Sequence, residues 1–552
     1  MNWRGWPVVA PLAGVARTWL RQGFHRRMLC RAQSKRMRRQ LSCLTGTLPP
    51  ADPQRLALVL VLQDDFPLQL AQDGMRALAL RLDGWTPVAL LLDRTQMGAE
   101  SQLRSFGIER FAYLSDHPLS VADHALVRSE TERFLATADS FQAVKSWCFR
   151  GAWIGSQVIS TIARQTFEGA PDPRDPAIRT RLAGLVPRAM GWVLQAERLL
   201  SSARWQLATV VEANYAAGGA VVDAAIAAGI PVLQAIQPCR DDAMVLKRLD
   251  GTTRRIHPFS LSRTTLDRLM AGPWGDNQER ELEQEFADRY GGRWALQARN
   301  TAGTEPYDRN RLVGELGLDP GKGIAVVFSQ VLWDANLFYG EDLFSDFSDW
   351  FVQTVQAACA NPAVNWLVKL HPANVWKRSL AGVEGEYAEI RLIRERIGAL
   401  PPHVRLLPAD TRIPALSLFT AADWGTTVRG TVGIEAPCFG MPLLTAGTGR
   451  YSHLGFTVDS ASREEYLARL AGIAAIPRLS PEQKQRARRH AHAVFRRRIW
   501  RMRSFRLDRP GKADAELVPT FASLEEIKAN GDLALFAAWA ASGEADYLDD
   551  GD

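Results

Sequence analysis

Two unbroken apolar runs, Leu56–Leu62 (LALVLVL) and Ile324–Phe328 (IAVVF), constrain this chain more than any other feature. A strand with one wet face alternates apolar and polar residues. A run with no polar break suits a strand covered on both faces, as in a parallel sheet between layers of helices. Each run opens a series in which strand-like and helix-like stretches alternate. The first continues with a helical pattern near 68–83, an apolar run at Val88–Leu92, a weaker beat through 107–113 and a mainly helical stretch over 118–205. Strands at Leu207–Val211 and Ile230–Ile236 follow, around a small-residue helix at Gly218–Ala228. In the second series Leu343, Phe347, Trp350, Phe351, Val355 and Cys359 form one apolar helical stripe. Strands are expected at Val364–Leu370, His403–Leu407, 423–427 and Pro442–Ala446, with helices near 386–398 and 431–439. This alternation predicts two parallel α/β units. The polar stretch 240–310 reads as their connection, and the basic segment 481–503 as a long helix.

Composition sets limits. The chain has 552 residues, 46% hydrophobic and 23% charged, with a mean hydropathy of −0.15. That balance supports a sizeable core and excludes wholesale disorder. No apolar run is long enough to span a bilayer. The formal charge of +7 is unevenly spread: residues 1–40 hold ten Lys or Arg and no acid, and residues 481–510 hold eleven against Glu482 and Asp508. The remainder is acidic, so two basic patches are left to attract a membrane surface, a nucleic acid or a phosphorylated substrate. The cysteines, Cys30, Cys43, Cys148, Cys239, Cys359 and Cys438, form no CxxC pair, which points to free thiols in a reducing compartment. The early apolar stretch PVVAPLAGVA carries two prolines and runs into TWLRQGFHRR, the wrong order for an export signal. A cytoplasmic protein is expected. From Gly14 on, Trp19, Leu20, Phe24 and Met28 interleave with Arg17, Arg21, Arg26, Arg27 and Arg31. This fits a basic amphipathic helix lying peripherally on the inner membrane, or an arm packed on its own domain.

Parallel sheets bind ligands beyond the carboxyl ends of their strands, where loops lead into helix N-termini. Three loops of the second series fit. Ser329–Gln330 follows Ile324–Phe328; Lys369, His371 and Pro372 end and follow Val364–Leu370; and TTVRGTVGIE spans Thr426–Glu435. His-Pro also occurs at His117 and His257, so the dipeptide alone says little; only His371 follows a strong apolar strand. Pro372 suits a first helical turn, which sets the His371 imidazole at a helix start that favours anions. The plain alternative is a strand-end histidine bonded to backbone. In the third loop Gly430, Thr431 and Gly433 leave a helix start bare, and Arg429 offers a planar fork for phosphate. Glu435 falls on the same face as Thr431 one turn on, placed to accept bonds from ribose hydroxyls. Capping and packing through glycine explain the same residues without a ligand. The segment GTGRY brings Gly447 and Gly449 to another strand end. Asp64 and Asp65 after the first strand, and Asp334 past Ile324–Phe328, are carboxylates able to activate an acceptor hydroxyl. Glu212, Asn214 and Tyr215 end Leu207–Val211 and are candidates for acceptor contact.

The stretches FSQVLWDANLFYGEDLF, KLHP and VRGTVGIEAPCFGMPLLTAGTGRYSHLGF resemble the donor half of bacterial capsule polysaccharide biosynthesis glycosyltransferases of the GT-B fold. The resemblance implies a GT-B-like α/β architecture: two Rossmann-type domains facing a cleft, with a helical C-terminal extension. It implies His371 and Thr431, with Thr427, on the donor phosphate, as in related bacterial sialyl- and Kdo-transferases. It implies no metal and no cofactor beyond the nucleotide-sugar substrate. Ser329, Gln330, Lys369, Pro372, Arg429, Gly430, Gly433, Glu435, Gly447 and Gly449 complete the expected donor site. Two departures stand out. Similar sequences carry His where this one has Gln330, and related transferases follow their acidic pair with Gly where this one has Phe66.

The expected division is a basic arm at 1–50, an acceptor domain at 51–305, a nucleotide-sugar donor domain at 306–480, and a helical region with an acidic tail at 481–552. The expected function is sugar transfer from a nucleotide-sugar to a growing surface polysaccharide or lipid-linked glycan, beside an anionic membrane surface. One rival is a nucleotide-sugar epimerase or hydrolase on the same fold. Another is a non-enzymatic protein that binds membranes or anionic polymers. No nucleic-acid module, Walker loop or GxSxG elbow is found, and His490 and His492 have no nearby cysteine to make a zinc site.

Overall fold

The computed structural model describes residues 32–44, 46–62, 67–238, 240–334, 338–508 and 515–549. Two sheets organise them. The first holds β1 (Leu56–Leu60), β2 (Thr86–Leu91), β3 (Arg110–Tyr113), β4 (Trp205–Val210), β5 (Val232–Ile236) and β6 (Ala243–Leu249). The second holds β7 (Ile324–Phe328), β8 (Asn365–Lys369), β9 (Val404–Leu407), β10 (Trp424–Thr427), β11 (Leu443–Thr445) and β12 (Val458–Asp459). A late strand, β13 (Ile499–Arg501), returns to the first sheet.

The strand orders carry the architecture. The first sheet runs β13-β6-β5-β4-β1-β2-β3, with β3 to β5 parallel and β6 and β13 added antiparallel at one edge. The second runs β12-β11-β10-β7-β8-β9, all parallel. Counted from its own first strand, the second reads 3-2-1-4-5-6, the doubly wound Rossmann order. The structure is thus α/β with two Rossmann-type sheets and a cleft at their loop ends.

Both apolar runs are buried on two faces. Along β1, Leu58 and Leu60 pack to one side and Val59 to the other. Along β7, Ala325 and Val327 join Trp350 and Phe351, while Ile324, Val326 and Phe328 join Leu418 and Phe419. Each fully buried Leu or Val contributes about 1.5–3 kcal/mol, and a polar break would forfeit that on one face. The stripe on the helix Phe347–Cys359 buries Phe347, Trp350, Phe351 and Val355 against β7 and β8.

Two elements differ from the sequence reading. The stretch 240–310 contains β6, whose apolar residues are interrupted by Lys247 and Arg248. Lys247 is tolerated there because Asp546 reaches it at 3.0 Å. The basic segment is a helix only over Pro481–His492, followed by a π turn at Ala493–Arg497 and then β13. Ile499 and Trp500 leave the helix because both bury completely on the edge of β6, where the Trp500 ring meets Phe536 at a tilt, centroids 5.0 Å apart. Among the described residues no helix is long and apolar enough to cross a membrane.

Candidate functional site

β7 and β10 are neighbours in space but first and fourth in their sheet, so this is where the winding reverses and a crevice opens beyond the strand ends. A cavity of about 560 Å³ lies there. Three strand ends build one wall: Ser329 and Gln330 after β7, Lys369, His371 and Pro372 at β8, and Arg429, Gly430, Thr431 and Glu435 after β10.

The wall is rich in donors. Lys369 is 7% exposed, and its ammonium makes no hydrogen bond or ion pair with the described residues; burial lowers its pKa to about 8. Burial, with Lys377 and Lys369 nearby, lowers His371 to about 4, so its ring is neutral at ordinary pH. The His371 Nδ1 accepts the Ala373 N–H at 3.1 Å, which places the ring proton on Nε2. Pro372 starts the helix Ala373–Ala381. Thr431 precedes the short helix Val432–Glu435, and its hydroxyl makes no capping bond. Gln330 Nε2 donates to Thr427 Oγ1 at 2.6 Å and so ties the first strand end to the third. Glu435 meets Arg289 Nε at 2.6 Å and accepts from the Tyr290 hydroxyl at 2.9 Å.

Beside these donors, acidic and basic groups alternate. Asp334 pairs with Lys377. Burial opposes the Asp334 charge, but Lys377, Arg164 and His371 outweigh it and hold the carboxyl below its ordinary value. Glu212 and Tyr215 close the end of β4, at the corresponding reversal point of the first sheet, and line a second cavity of about 240 Å³ with Trp192. The Tyr215 ring carries Arg164 4.8 Å from its centroid. Burial, reinforced by Asp334, raises the Glu212 carboxyl, while Arg164 and Lys377 oppose the rise. The end of β4 therefore faces the Asp334–Lys377 pair electrostatically.

Four expected site residues stand behind these walls, not on them. Thr427 is fully buried and holds Gln330. Asn214 is 3% exposed, against Arg254, and so is not open to an acceptor. Gly433 gives room to a ring: a Cβ there would stand 1.9 Å from Tyr451 Cζ. Gly447 packs under the loop that holds Glu341, whose carbonyl would be 2.7 Å from an added Cβ. Gly449 lines a smaller recess beside Arg429. Asp64 and Asp65 lie outside the described residues. The structure adds His257, Arg289, Lys377 and Arg450 to the large cavity. Lys377 had a signal: it sits six residues after His371, on the helix that Pro372 starts.

No family model matches the chain, and no curated protein matches it. Among solved structures it is similar to a β-Kdo 2,4-transferase, KpsC of Thermosulfurimonas dismutans (15% identity, 51% of this chain and 79% of that one, TM-score 0.32). It is also similar to the β-Kdo 2,7-transferase of the same organism's KpsC (12%, 62% and 88%, 0.32). A UDP-GlcNAc 2-epimerase from Neisseria meningitidis follows at 10% identity, 80% and 97% coverage and a TM-score of 0.23. At such scores the chemistry of the site rests on its own residues.

Proposed function

We propose that the chain is a glycosyltransferase that moves a sugar from a nucleotide-sugar to a surface-polysaccharide or glycolipid acceptor. One observation carries this reading: a buried cation with no side-chain partner among the described residues (Lys369), an imidazole N–H (His371) and a hydroxyl that makes no capping bond (Thr431) share one wall of a cavity of about 560 Å³. Such a set fits a phosphate that becomes more negative as it leaves. The acceptor hydroxyl oxygen attacks the anomeric carbon, the bond from that carbon to the phosphate oxygen breaks, and a carboxylate takes the hydroxyl proton. Asp64, Asp65, Asp334 and Glu212 are the carboxylates for that last role. Protein cations meet the leaving phosphate, so the reaction needs no metal and no resident cofactor. The second sheet's unit takes the donor and the first takes the acceptor, whose sugar ring Trp192 can stack against. The helical stretch 32–40 buries Met37 and turns Lys35, Arg38 and Arg39 outward, which suits an anionic membrane surface. Arg289 and Tyr290 already occupy the Glu435 carboxylate, so contact with ribose would be shared with them.

A thermal-shift series with CMP, UDP and GDP tests the donor site, because a ligand that binds only the folded chain raises its melting temperature. One nucleotide should stabilise the wild type. His371→Ala and Thr431→Ala should each lower transfer by at least about tenfold while keeping the fold. No stabilisation by any of the three, with wild-type turnover in both variants, would remove the assignment. Sugar inversion or hydrolysis without acceptor would point to the epimerase or hydrolase reading instead.

A further inference from the structure

The turn after β4 is held from three sides. Gln234 Nε2, from β5, donates to the Val211 carbonyl at 3.0 Å, and the Ala216 N–H donates to Thr161 Oγ1, on the helix Ile154–Thr166, at 3.0 Å. Gly218 lets the following helix, Ala216–Ala227, close on the same turn: a Cβ there would stand 2.6 Å from the Glu212 carbonyl oxygen. The backbone of Glu212 is thus fixed, but its carboxylate is not. It is half-buried, lines the cavity of about 240 Å³, and makes no hydrogen bond or ion pair with the described residues. Leaving such a group unbonded costs stability unless something else uses it. The charged and titratable groups that face it come from both units: Arg164, which lies over the Tyr215 ring, and Asp334 and Lys377 across the junction, while Arg188 lines the same cavity. Asp334 is already committed. To take a proton it would give up its ion pair with Lys377, whereas Glu212 has no bond to lose. A general base works best unpaired, with a proton affinity that its surroundings have not depressed.

We infer that Glu212 is the group that takes the acceptor's proton, and that the reacting acceptor sugar sits in the cavity of about 240 Å³, under half the volume of the donor cavity of about 560 Å³. This inference rests on the transferase reading. As the acceptor hydroxyl oxygen bonds to the anomeric carbon, its proton passes to a Glu212 carboxylate oxygen. The bond from that carbon to the phosphate oxygen breaks, and its electron pair leaves with the phosphate toward Lys369 and His371. Glu212 then returns the proton to solvent.

Two measurements on the full chain test it. A carbodiimide with glycinamide labels carboxyls in their protonated form, and peptide mapping locates the label. Near about pH 6, Glu212 should be labelled at least about fivefold more than Asp334, because burial raises the one and Lys377 holds the other down. Transfer is read from UDP-glucose, GDP-mannose and CMP-N-acetylneuraminate to methyl glucoside and methyl galactoside. Glu212→Gln should lower kcat by at least about a hundredfold with donor KM within about threefold, and Glu212→Asp should restore part of it. Wild-type kcat should fall with decreasing pH before the ordinary carboxyl value of 4.5 is reached, and that limb should vanish in Glu212→Gln. Asp334→Asn, which unpairs Lys377 beside the donor wall, should act mainly on donor KM. Ala217, half-buried, lines the smaller cavity. Ala217→Leu, which fills that space, should raise acceptor KM by at least about tenfold. Nucleotide stabilisation should persist in Glu212→Gln. Wild-type kcat in Glu212→Gln, Asp334 labelled as readily as Glu212, or an unchanged acceptor KM in Ala217→Leu overturns the assignment. Failure of every nucleotide to bind and of every donor to react with the wild type would instead count against the transferase reading.

Discussion

Lys369 is a buried charge that the fold keeps against its own stability. It is 7% exposed, and burial lowers its pKa from 10.5 to about 8. The folded chain therefore holds this proton less tightly than the unfolded chain does. Below about pH 8 the charge opposes folding in full, and the opposition fades as pH rises toward the unfolded value. Lys369→Met should accordingly raise the unfolding free energy at pH 7 by about 1–3 kcal/mol, read from urea denaturation. The same variant should weaken nucleotide binding by at least about tenfold. In the wild type, calorimetric affinity should fall as pH rises through about 8, and that slope should vanish in the variant. A variant that loses stability and keeps its affinity would make the lysine structural. Strand-end residues such as Lys369, His371 and Thr431 were legible because the apolar runs announce where strands stop. His257, Arg289 and Arg450 were not. They reach the cavity from segments whose place depends on how the two units dock, and no local pattern encodes that.

At the scale of elements, the loop after β10 is held by packing as much as by bonds. Tyr451 is fully buried, and its hydroxyl donates to the Gly430 carbonyl at 3.0 Å. The ring lies across Gly433, where a Cβ would stand 1.9 Å from Cζ. The glycine is therefore required by a neighbour from the next strand end, which sequence can suggest only as one of two meanings. Gly433→Ala should push the ring away, cost about 1–3 kcal/mol in chemical denaturation, and reduce nucleotide affinity because the Thr431 segment shifts with it. Tyr451→Phe, which keeps the ring and loses one hydrogen bond, should cost only about 1 kcal/mol. Equal effects from both would put the hydroxyl, not the ring, in charge of the loop. The same limit of local reading explains β6 and β13. Both are made strands by edge pairing, and the lysine within β6 is met by a buried carboxylate nearly three hundred positions away along the chain.

At the scale of the whole molecule, the C-terminal segment joins the two units. The helix Pro481–His492 packs Ala487 and Ala491 with Ile434, Cys438 and Tyr451, directly behind the loop after β10. The chain then crosses to the first sheet as β13, and Asp546 locks the return. That carboxylate takes Lys247 at 3.0 Å, Arg498 at 3.2 Å and the Ser262 N–H at 2.7 Å. Burial works against its charge, yet Arg498, Lys247 and Ser262 together lower its pKa to about 2. A carboxylate with a depressed folded pKa stabilises fully above its ordinary value of 3.8 and loses that contribution as pH falls toward about 2. Asp546→Asn leaves two buried cations short of an anion and should cost about 3–5 kcal/mol at neutral pH, with a flatter loss in acid. The two functional readouts should separate. The wall built by the ends of β7, β8 and β10 belongs to the second unit, so on the proposed reading nucleotide affinity should stay within about threefold of wild type. The proposed transfer needs the end of β4 held near His371 and Asp334, and small misplacements of reacting groups are expensive, so turnover should fall by about tenfold or more. Parallel loss of affinity and turnover would show that the strap supports the donor unit itself and not the alignment of the two.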